Sequence, residues 1–149
     1  MLKLTDEIKE IIKSKNLNWE YISKEIILPE DFIIDHQSDV WWSSISECQT
    51  LSEDFIRKFK NSVSWAHISL FQNLSENFIK EFKRKINFEY LYKNEKISLS
   101  LKLKIMLYFN NLSAPEKIQV YYHQFLNSIA NSISNEKIEA FIVMEKLTE

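Results

Sequence analysis

Large apolar residues recur every 23 residues along most of the chain, and this repeat limits the possible folds more than any other feature. The clearest column is formed by Trp19, Trp42, Trp65 and Phe88. Three further columns keep the same spacing and hold Ile22, Ile45, Ile68 and Leu91; Leu28, Leu51, Leu74 and Ile97; and Phe32, Phe55, Phe78 and Leu101. A fixed period is typical of repeat proteins, in which each repeat is one supersecondary unit that stacks on its neighbours.

Each repeat is predicted to be a hairpin of two short helices. The clearest copies are WSSISECQTLSEDFIRKFKNSV from Trp42 and WAHISLFQNLSENFIKEFKRKI from Trp65. A tryptophan and an isoleucine three residues apart suit one helix, and Phe55, Ile56 and Phe59 share one face of a second. Because 23 residues leave about two turns for each helix, and isolated helices of that length are unstable, the hairpins must be stabilised by stacking.

Capping residues at two places in the repeat support two helices per unit. Ser52 and Ser75 precede acidic residues and stand where the second helix begins, and basic residues follow towards its end. Asn18, Ser64 and Asn87 stand just before the first helix of their units. We therefore expect these five residues to be helix N-caps.

The chain contains no glycine. GxGxxG turns, Walker A loops, GxSxG nucleophile elbows and EF-hand loops each need a backbone position that glycine adopts most easily. Tight β-hairpin turns also lose their best residue. The composition therefore favours an all-α fold and excludes the nucleotide and phosphate chemistry that depends on these motifs.

The predicted fold is an all-α solenoid of four short helical hairpins, capped by terminal helices, in a single domain that covers residues 1–149. Residues 1–16 are predicted to form an N-terminal cap helix, 17–109 the repeats and 110–149 the C-terminal cap helices. Thr5 would begin the first cap helix, Ser113 and Glu116 would form a capping box, and Ser134 would begin the last helix. No Pro-rich or Ser-rich linker separates these parts.

The outer repeats depart from the pattern, so we expect them to pack differently from the central ones. The first repeat has Pro29, and it has His36 in the column that holds Phe59 and Phe82. The fourth repeat has Ser98, Leu99 and Ser100 in place of the serine, glutamate and phenylalanine run.

The pattern W-x-x-I-S-x-x-Q-x-L-S-E-x-F-I-x-x-F, found at Trp42–Phe59 and in a close copy at Trp65–Phe82, resembles a short helical repeat of uncharacterised phage and large-DNA-virus proteins. The resemblance covers roughly the middle 60% of the chain. It implies an interaction role and brings no catalytic residues to positions in this chain. It also makes an inhibitor of a host defence factor, such as an anti-CRISPR protein, the concrete functional expectation.

Charge and cysteine content limit the partners and the compartment. The net charge of −2 gives the whole molecule no reason to hold DNA or RNA, although Lys93, Lys96, Lys102 and Lys104 form a basic stretch that could meet phosphate. The single cysteine, Cys48, excludes an intramolecular disulfide. No stretch approaches 18 apolar residues, so neither export nor membrane insertion is indicated. We expect a cytoplasmic protein, in the host cytoplasm if it is viral.

The residues capable of chemistry do not form a recognisable site. The histidines His36, His67 and His123 and the thiol of Cys48 do not stand at a metal-binding or catalytic spacing. We expect His36 to pack in the stack and Cys48 to be unreactive, because no basic residue adjoins the cysteine. The acidic residues are explained by first-turn helix electrostatics. The chain is therefore predicted not to be an enzyme, with no catalytic residue, no cofactor and no metal.

The positions at which the repeat varies are candidates for contact with a partner, since stacking requires the constant ones. The variable positions lie two, five and six residues after each tryptophan. Trp41, moreover, replaces the polar cap found in the other units, and exposed aromatics are frequent interface hot spots. The predicted partner-binding residues are Tyr21, Trp41, Ser44, His67, Leu70, Phe71 and Tyr90. The alternative is that these side chains only pack between units or on a terminal helix.

The sequence thus predicts a non-enzymatic protein-binding module that acts by covering a partner's functional surface. The alternative is a protein that binds or mimics nucleic acid. Nucleic-acid binding would depend strongly on salt, whereas a hot-spot interface would be lost on Trp41→Ala or Phe71→Ala with little effect of salt.

Overall fold

The computed structural model describes residues 1–14 and 18–110, and it confirms the all-α prediction with helices that follow the 23-residue period. The elements are β1 (Leu2–Lys3), α1 (Asp6–Ser14), α2 (Trp19–Glu25), β2 (Ile26–Ile27), α3 (Glu30–Asp35), α4 (Trp42–Cys48), α5 (Glu53–Lys58), α6 (Trp65–Phe71), α7 (Glu76–Glu81), α8 (Phe88–Lys93) and α9 (Leu99–Asn110). Apart from Asn110, the predicted C-terminal cap helices, with the caps at Ser113, Glu116 and Ser134, lie outside the described residues.

All five predicted N-cap positions are correct, but one of the side chains makes no capping bond. The hydroxyl oxygens of Ser52 and Ser75 and the amide oxygens of Asn18 and Asn87 accept hydrogen bonds from backbone N–H groups in the first turns of their helices. Ser64 precedes α6 with a ψ of 104°, similar to that of the two asparagines, and its hydroxyl does not cap the helix. At this ψ the longer asparagine side chain reaches the first turn and the serine side chain does not.

The hairpins stack so that the first helices of successive repeats lie side by side. Helix α4 packs between α2 and α6, and α6 in turn packs against α8. The second helices form the other layer, in which α7 contacts α9. The apolar columns of both layers meet between them, where Ile45, Ile56, Ile68 and Phe78 are fully buried. Burial of side chains of this size contributes about 1.5 to 3 kcal/mol each, which is what short helices need from stacking.

A cluster of three rings joins the two helices within each of the first three repeats. The ring centroid of Phe59 lies 4.9 Å from that of Trp42 and 4.7 Å from that of Phe55. The third repeat has the same arrangement. In the first repeat His36 takes the place of the second phenylalanine, and its ring centroid lies 5.0 Å from that of Trp19. The prediction that this imidazole packs in the stack is confirmed.

A buried glutamine connects each central repeat to the one before it. The Nε2 of Gln72 donates to the backbone carbonyls of Ser46 and Gln49, at 2.9 and 2.7 Å. Its Oε1 accepts a hydrogen bond from the backbone N–H of Leu51, at 3.1 Å. Gln49 makes the equivalent three bonds to the first repeat. In the fourth repeat Asn94, one position earlier in the frame, donates to the two equivalent carbonyls.

Two further sets of bonds run between repeats. The hydroxyl oxygens of Ser23, Ser46 and Ser69 accept hydrogen bonds from the backbone N–H groups of the residues that precede the next repeat's first helix, each at 2.9 Å. The carboxylate of Glu53 accepts from the backbone N–H and the hydroxyl of Ser75. Glu30 and Ser52 repeat this contact one unit earlier. The polar columns of the motif are therefore inter-repeat connectors.

The N-terminal end is closed by a short strand as well as a helix. Strand β1 pairs in parallel with β2, with Leu2 opposite Ile26. The predicted cap helix over residues 1–16 is therefore shorter in the structure: it begins at Asp6, and the Thr5 hydroxyl oxygen accepts from the backbone N–H of Ile8 at 3.3 Å. The first repeat has no repeat before it and carries Ile26 where the second and third repeats carry a glutamine. Its backbone pairs with β1 there instead.

The fourth repeat differs from the central ones in the lengths of its helices. Helix α8 has six residues where α4 and α6 have seven, and α9 has twelve where α5 and α7 have six. Ser98 nevertheless keeps the capping role, because its hydroxyl oxygen accepts from the backbone N–H of Leu101 at 3.3 Å. In the part of the chain that the structure describes, no helix is both long enough and apolar enough to cross a membrane.

The buried amide of Gln72 can be tested by Gln72→Met, which keeps most of the side-chain volume and removes the hydrogen bonds. Two carbonyls and one N–H then lose their partners in a buried site, so we expect the free energy of unfolding in urea to fall by about 3 kcal/mol. The matched control is Gln37→Met at an exposed glutamine, with an expected change within about 0.5 kcal/mol. Equal changes in the two variants would contradict the connecting role.

Candidate partner-binding surfaces

Apart from the sixth position of the fourth repeat, which is buried, the variable positions lie on the side of the first helices that faces away from the second helices. The tryptophan, isoleucine, serine and glutamine of the two central repeats turn towards the interior, which leaves positions two, five and six on the opposite side. Tyr21 is 58% exposed there. His67, Leu70, Phe71 and Tyr90 are half-buried. These residues form the outer face of the array.

Ser44 was expected at the same face, but its side chain is only 8% exposed. Helix α4 is flanked by α2 on one side and by α6 on the other. A serine side chain is too short to extend beyond these neighbours, whereas Tyr21, at the equivalent position of the first repeat, has no preceding first helix beside it. Ser44 is therefore removed from the accessible surface.

His67 makes contacts between repeats and within its own helix. Its Nδ1 lies 3.2 Å from the hydroxyl oxygen of Ser43 in the preceding repeat, and its ring centroid lies 5.9 Å from that of Phe71. Part of the predicted surface thus also serves the packing between units, which was the alternative reading for these residues.

Trp41 is the large exposed side chain at the start of a first helix. It is the N-cap residue of α4, it is 53% exposed, and its side chain makes no capping bond. Its backbone N–H donates to the hydroxyl oxygen of Ser23 at 2.9 Å. The main chain that carries the ring is therefore fixed to the preceding repeat, while the ring itself is open to solvent.

The structure does not gather Trp41, Leu70 and Phe71 into one compact patch. Trp41 precedes α4, whereas Leu70 and Phe71 end α6, a parallel neighbour of the same length. Seven residues of helix span about 10 Å, so the tryptophan and the pair lie towards opposite edges of the layer. A partner that touched both would have to cover the length of the helices.

The turns that join successive repeats form one edge of the array, and the charge changes sign along it. The turn before α4 carries Asp35 and Asp39, whereas every charged residue in the next two turns is basic. We call the cationic part the basic edge; it consists of Lys58, Lys60, Lys83, Arg84 and Lys85. The sequence explained these cations by the helix dipole and did not predict a surface. The signal that could have revealed it was that two successive turns contain basic residues and no acidic ones.

A cleft of about 360 Å³ lies between α1 and α3. It is lined by Leu4, Lys9, Ile12, Lys13, Pro29, Asp31, Phe32, Asp35 and His36. Lys9 and His36 are already engaged, with Asp6 at 2.9 Å and with Asp39 at 3.4 Å. No group of three or more His, Cys, Asp or Glu side chains able to hold a metal ion occurs among residues 1–14 and 18–110. The lining of the cleft thus combines apolar side chains with two lysines and two aspartates.

Cys48 lies half-buried at the end of α4. Burial raises the pKa of its thiol above the ordinary value for cysteine, and the neighbouring carboxylate of Glu47 adds to the rise. Both causes disfavour the thiolate, which is the reactive form. The geometry thus favours the unreactive cysteine that the sequence predicts.

No protein-family model matches the chain, and no match was found among curated proteins or solved structures. The resemblance to a repeat of phage and viral proteins therefore stays a prediction, and the arguments about function rest on the surfaces described above.

The raised pKa of Cys48 predicts slow alkylation. In a pH series with iodoacetamide, we expect the rate for the folded chain to rise at higher pH than the rate for the same chain unfolded in urea. The single cysteine makes the assignment direct. As a control, Glu47→Gln should lower the folded midpoint only in part, because burial is the larger cause. A folded midpoint at or below that of the unfolded chain would show that burial does not control this thiol.

Proposed function

We propose that this chain is a non-enzymatic protein-binding module that docks through Trp41 and covers a functional surface of its partner. The observation that carries the proposal is an exposed tryptophan at a position where the repeat needs only the backbone. Aromatic residues held on a rigid scaffold are frequent anchors of protein interfaces.

The packing of the repeats does not account for the tryptophan side chain. The three residues that precede the first helices of repeats two to four are Trp41, Ser64 and Asn87, and each uses its backbone N–H to bind a serine hydroxyl of the preceding repeat. Residues with three different side chains therefore make the same connection, because each makes it through its backbone. A polar residue would serve it at Trp41 as well, without exposing a large ring to water.

The stiffness of the array favours binding by a preformed surface. Trp41 is placed by a hydrogen bond to Ser23, and the α4 helix that follows it is packed on both sides. A side chain on such a support loses little conformational freedom when it is buried by a partner, so more of the contact energy remains as affinity.

The resemblance to phage and viral repeat proteins directs the search for the partner to host defence factors, and inhibition by occlusion is the mode of action we propose. Such a partner would be met in the cytoplasm.

Two adjacent tryptophans allow the proposal to be tested. We expect Trp41→Ala to weaken binding of the captured partner at least about tenfold and to leave the free energy of unfolding within about 0.5 kcal/mol. Trp42→Ala should instead lower the free energy of unfolding by about 3 kcal/mol, because its ring packs on Phe55 and Phe59. Partners would be captured on the immobilised chain, identified by mass spectrometry and then titrated in purified form.

The matched control for exposed apolar area is Leu99→Ala, at a leucine that is exposed at the start of α9, in the last repeat. This variant should bind as the unaltered chain does. A partner that bound Trp41→Ala and the unaltered chain equally would remove the tryptophan from the interface. Loss of stability in Trp41→Ala similar to that in Trp42→Ala would show that the ring serves packing.

A further inference from the structure

The basic edge concentrates charge that the protein does not neutralise. Within residues 1–14 and 18–110, none of its five cations is within ion-pair distance of a carboxylate, although Arg57, Lys80 and Lys93 in the same helices or the next ones are paired. Lys58, Lys60, Arg84 and Lys85 are exposed, and Lys83 is half-buried. Neither turn, over residues 58–64 and 82–87, contains an acidic residue.

The scaffold brings the two cationic turns of the basic edge into contact. The Nζ of Lys85 lies 3.5 Å from the backbone carbonyl oxygen of Lys60, which brings the two turns into contact. The same Nζ lies 5.6 Å from the centre of the Trp65 ring, and the Nζ of Lys58 lies 5.4 Å from the centre of the Phe59 ring. Five cations on two adjoining turns that contain no acidic residue give this edge a positive potential, which favours an anionic partner.

Trp41 and the basic edge share one side of the molecule. Trp41 begins α4, the turn over residues 58–64 leads into α6, and the turn over residues 82–87 leads into α8. Because these three helices pack side by side in the same direction, their starts lie along one edge. The order along that edge is two carboxylates, an exposed tryptophan and then five cations.

We infer that the basic edge binds an acidic surface patch of the partner protein, beside the apolar site that receives Trp41. This inference rests on the proposed function, because it states the chemistry of the same partner. The partner presents clustered Asp and Glu side chains to the second and third repeats. Near Trp41 it presents apolar area and a basic group that faces Asp35 and Asp39. Complementary charge of this kind speeds association and fixes the orientation of the two proteins.

The same edge fits a protein better than a nucleic acid. A strand that followed the five cations and placed a base on Trp41 would run towards the carboxylates of Asp35 and Asp39, which repel phosphate. Single-strand binding sites combine a continuous cationic groove with several stacking aromatics. Here Trp42 and Trp65 are packed against phenylalanines, which leaves Trp41 as the exposed tryptophan on this side in the part of the chain that the structure describes.

The test compares two charge reversals in the full chain. The edge variant is Lys60→Glu with Arg84→Glu, at two exposed residues. The control variant is Lys3→Glu with Lys24→Glu, which changes the net charge equally at exposed residues in β1 and α2. The probes are a fluorescently labelled oligoglutamate peptide and an oligothymidine of equal charge, followed by anisotropy in a salt series. Both variants should retain the unaltered chain's free energy of unfolding.

We expect the unaltered chain to bind oligoglutamate more tightly at low salt, the edge variant to bind it roughly tenfold more weakly or worse, and the control variant to keep most of the affinity. Equal losses in both variants would overturn the inference, because net charge and not the edge would then be responsible. Tighter binding of oligothymidine would also overturn it, in favour of a nucleic acid. Failure of the proposed function is distinguishable, since capture of the partner depends on Trp41 and oligoglutamate binding depends on the basic edge.

Discussion

The fold depends on satisfying the backbone groups at the ends of very short helices. The first and last four residues of any helix leave N–H or C=O groups without partners inside the helix, so a helix of six or seven residues has few internal bonds. Gln72 supplies two donors and one acceptor to such groups of the preceding repeat, from a buried position. The Ser46 hydroxyl and the Glu53 carboxylate accept hydrogen bonds from backbone N–H groups at helix starts of the following repeat. Apolar stacking thus becomes possible because the polar columns remove the penalty of burying these ends.

Much of the fold could be predicted from the sequence because its signals are local or periodic. The apolar columns predicted the hairpins, and Ser52 and Ser75 predicted where the second helices begin. The inter-repeat bonds could not be predicted, since a glutamine at a helix end is equally compatible with solvent until the neighbouring repeat is placed beside it. Asn94 illustrates the difficulty: it lies one residue out of frame, yet a shorter helix places its amide on the equivalent carbonyls. Strand β1 could not be predicted either, because it pairs with a segment 24 positions away and a strand of two residues has no recognisable sequence pattern.

The candidate surfaces were predictable to a smaller extent. The departure of Trp41 from a polar column located an exposed ring, because the column itself was visible in the sequence. The burial of Ser44 was not visible, since it depends on how far a side chain extends beyond the helices on either side. Tyr21, at the equivalent position, is exposed because the first repeat has no first helix before it. The exposure of a side chain in a repeat array therefore depends on where its repeat lies in the array as well as on its position within the repeat.

The same connectors that stabilise the array leave its edge free to change. At the turns between repeats, stacking uses the backbone N–H of the capping residue and the carbonyl that accepts from a tryptophan Nε1–H, as Trp65 does with Lys60. Because these are main-chain groups, the side chains of the turns can alter without loss of the connection. The edge is acidic at the first turn and basic at the second and third, while the aromatic cluster beneath keeps the same geometry. A scaffold that fixes the backbone and leaves the side chains unconstrained can therefore acquire an oriented charge pattern without a change in fold.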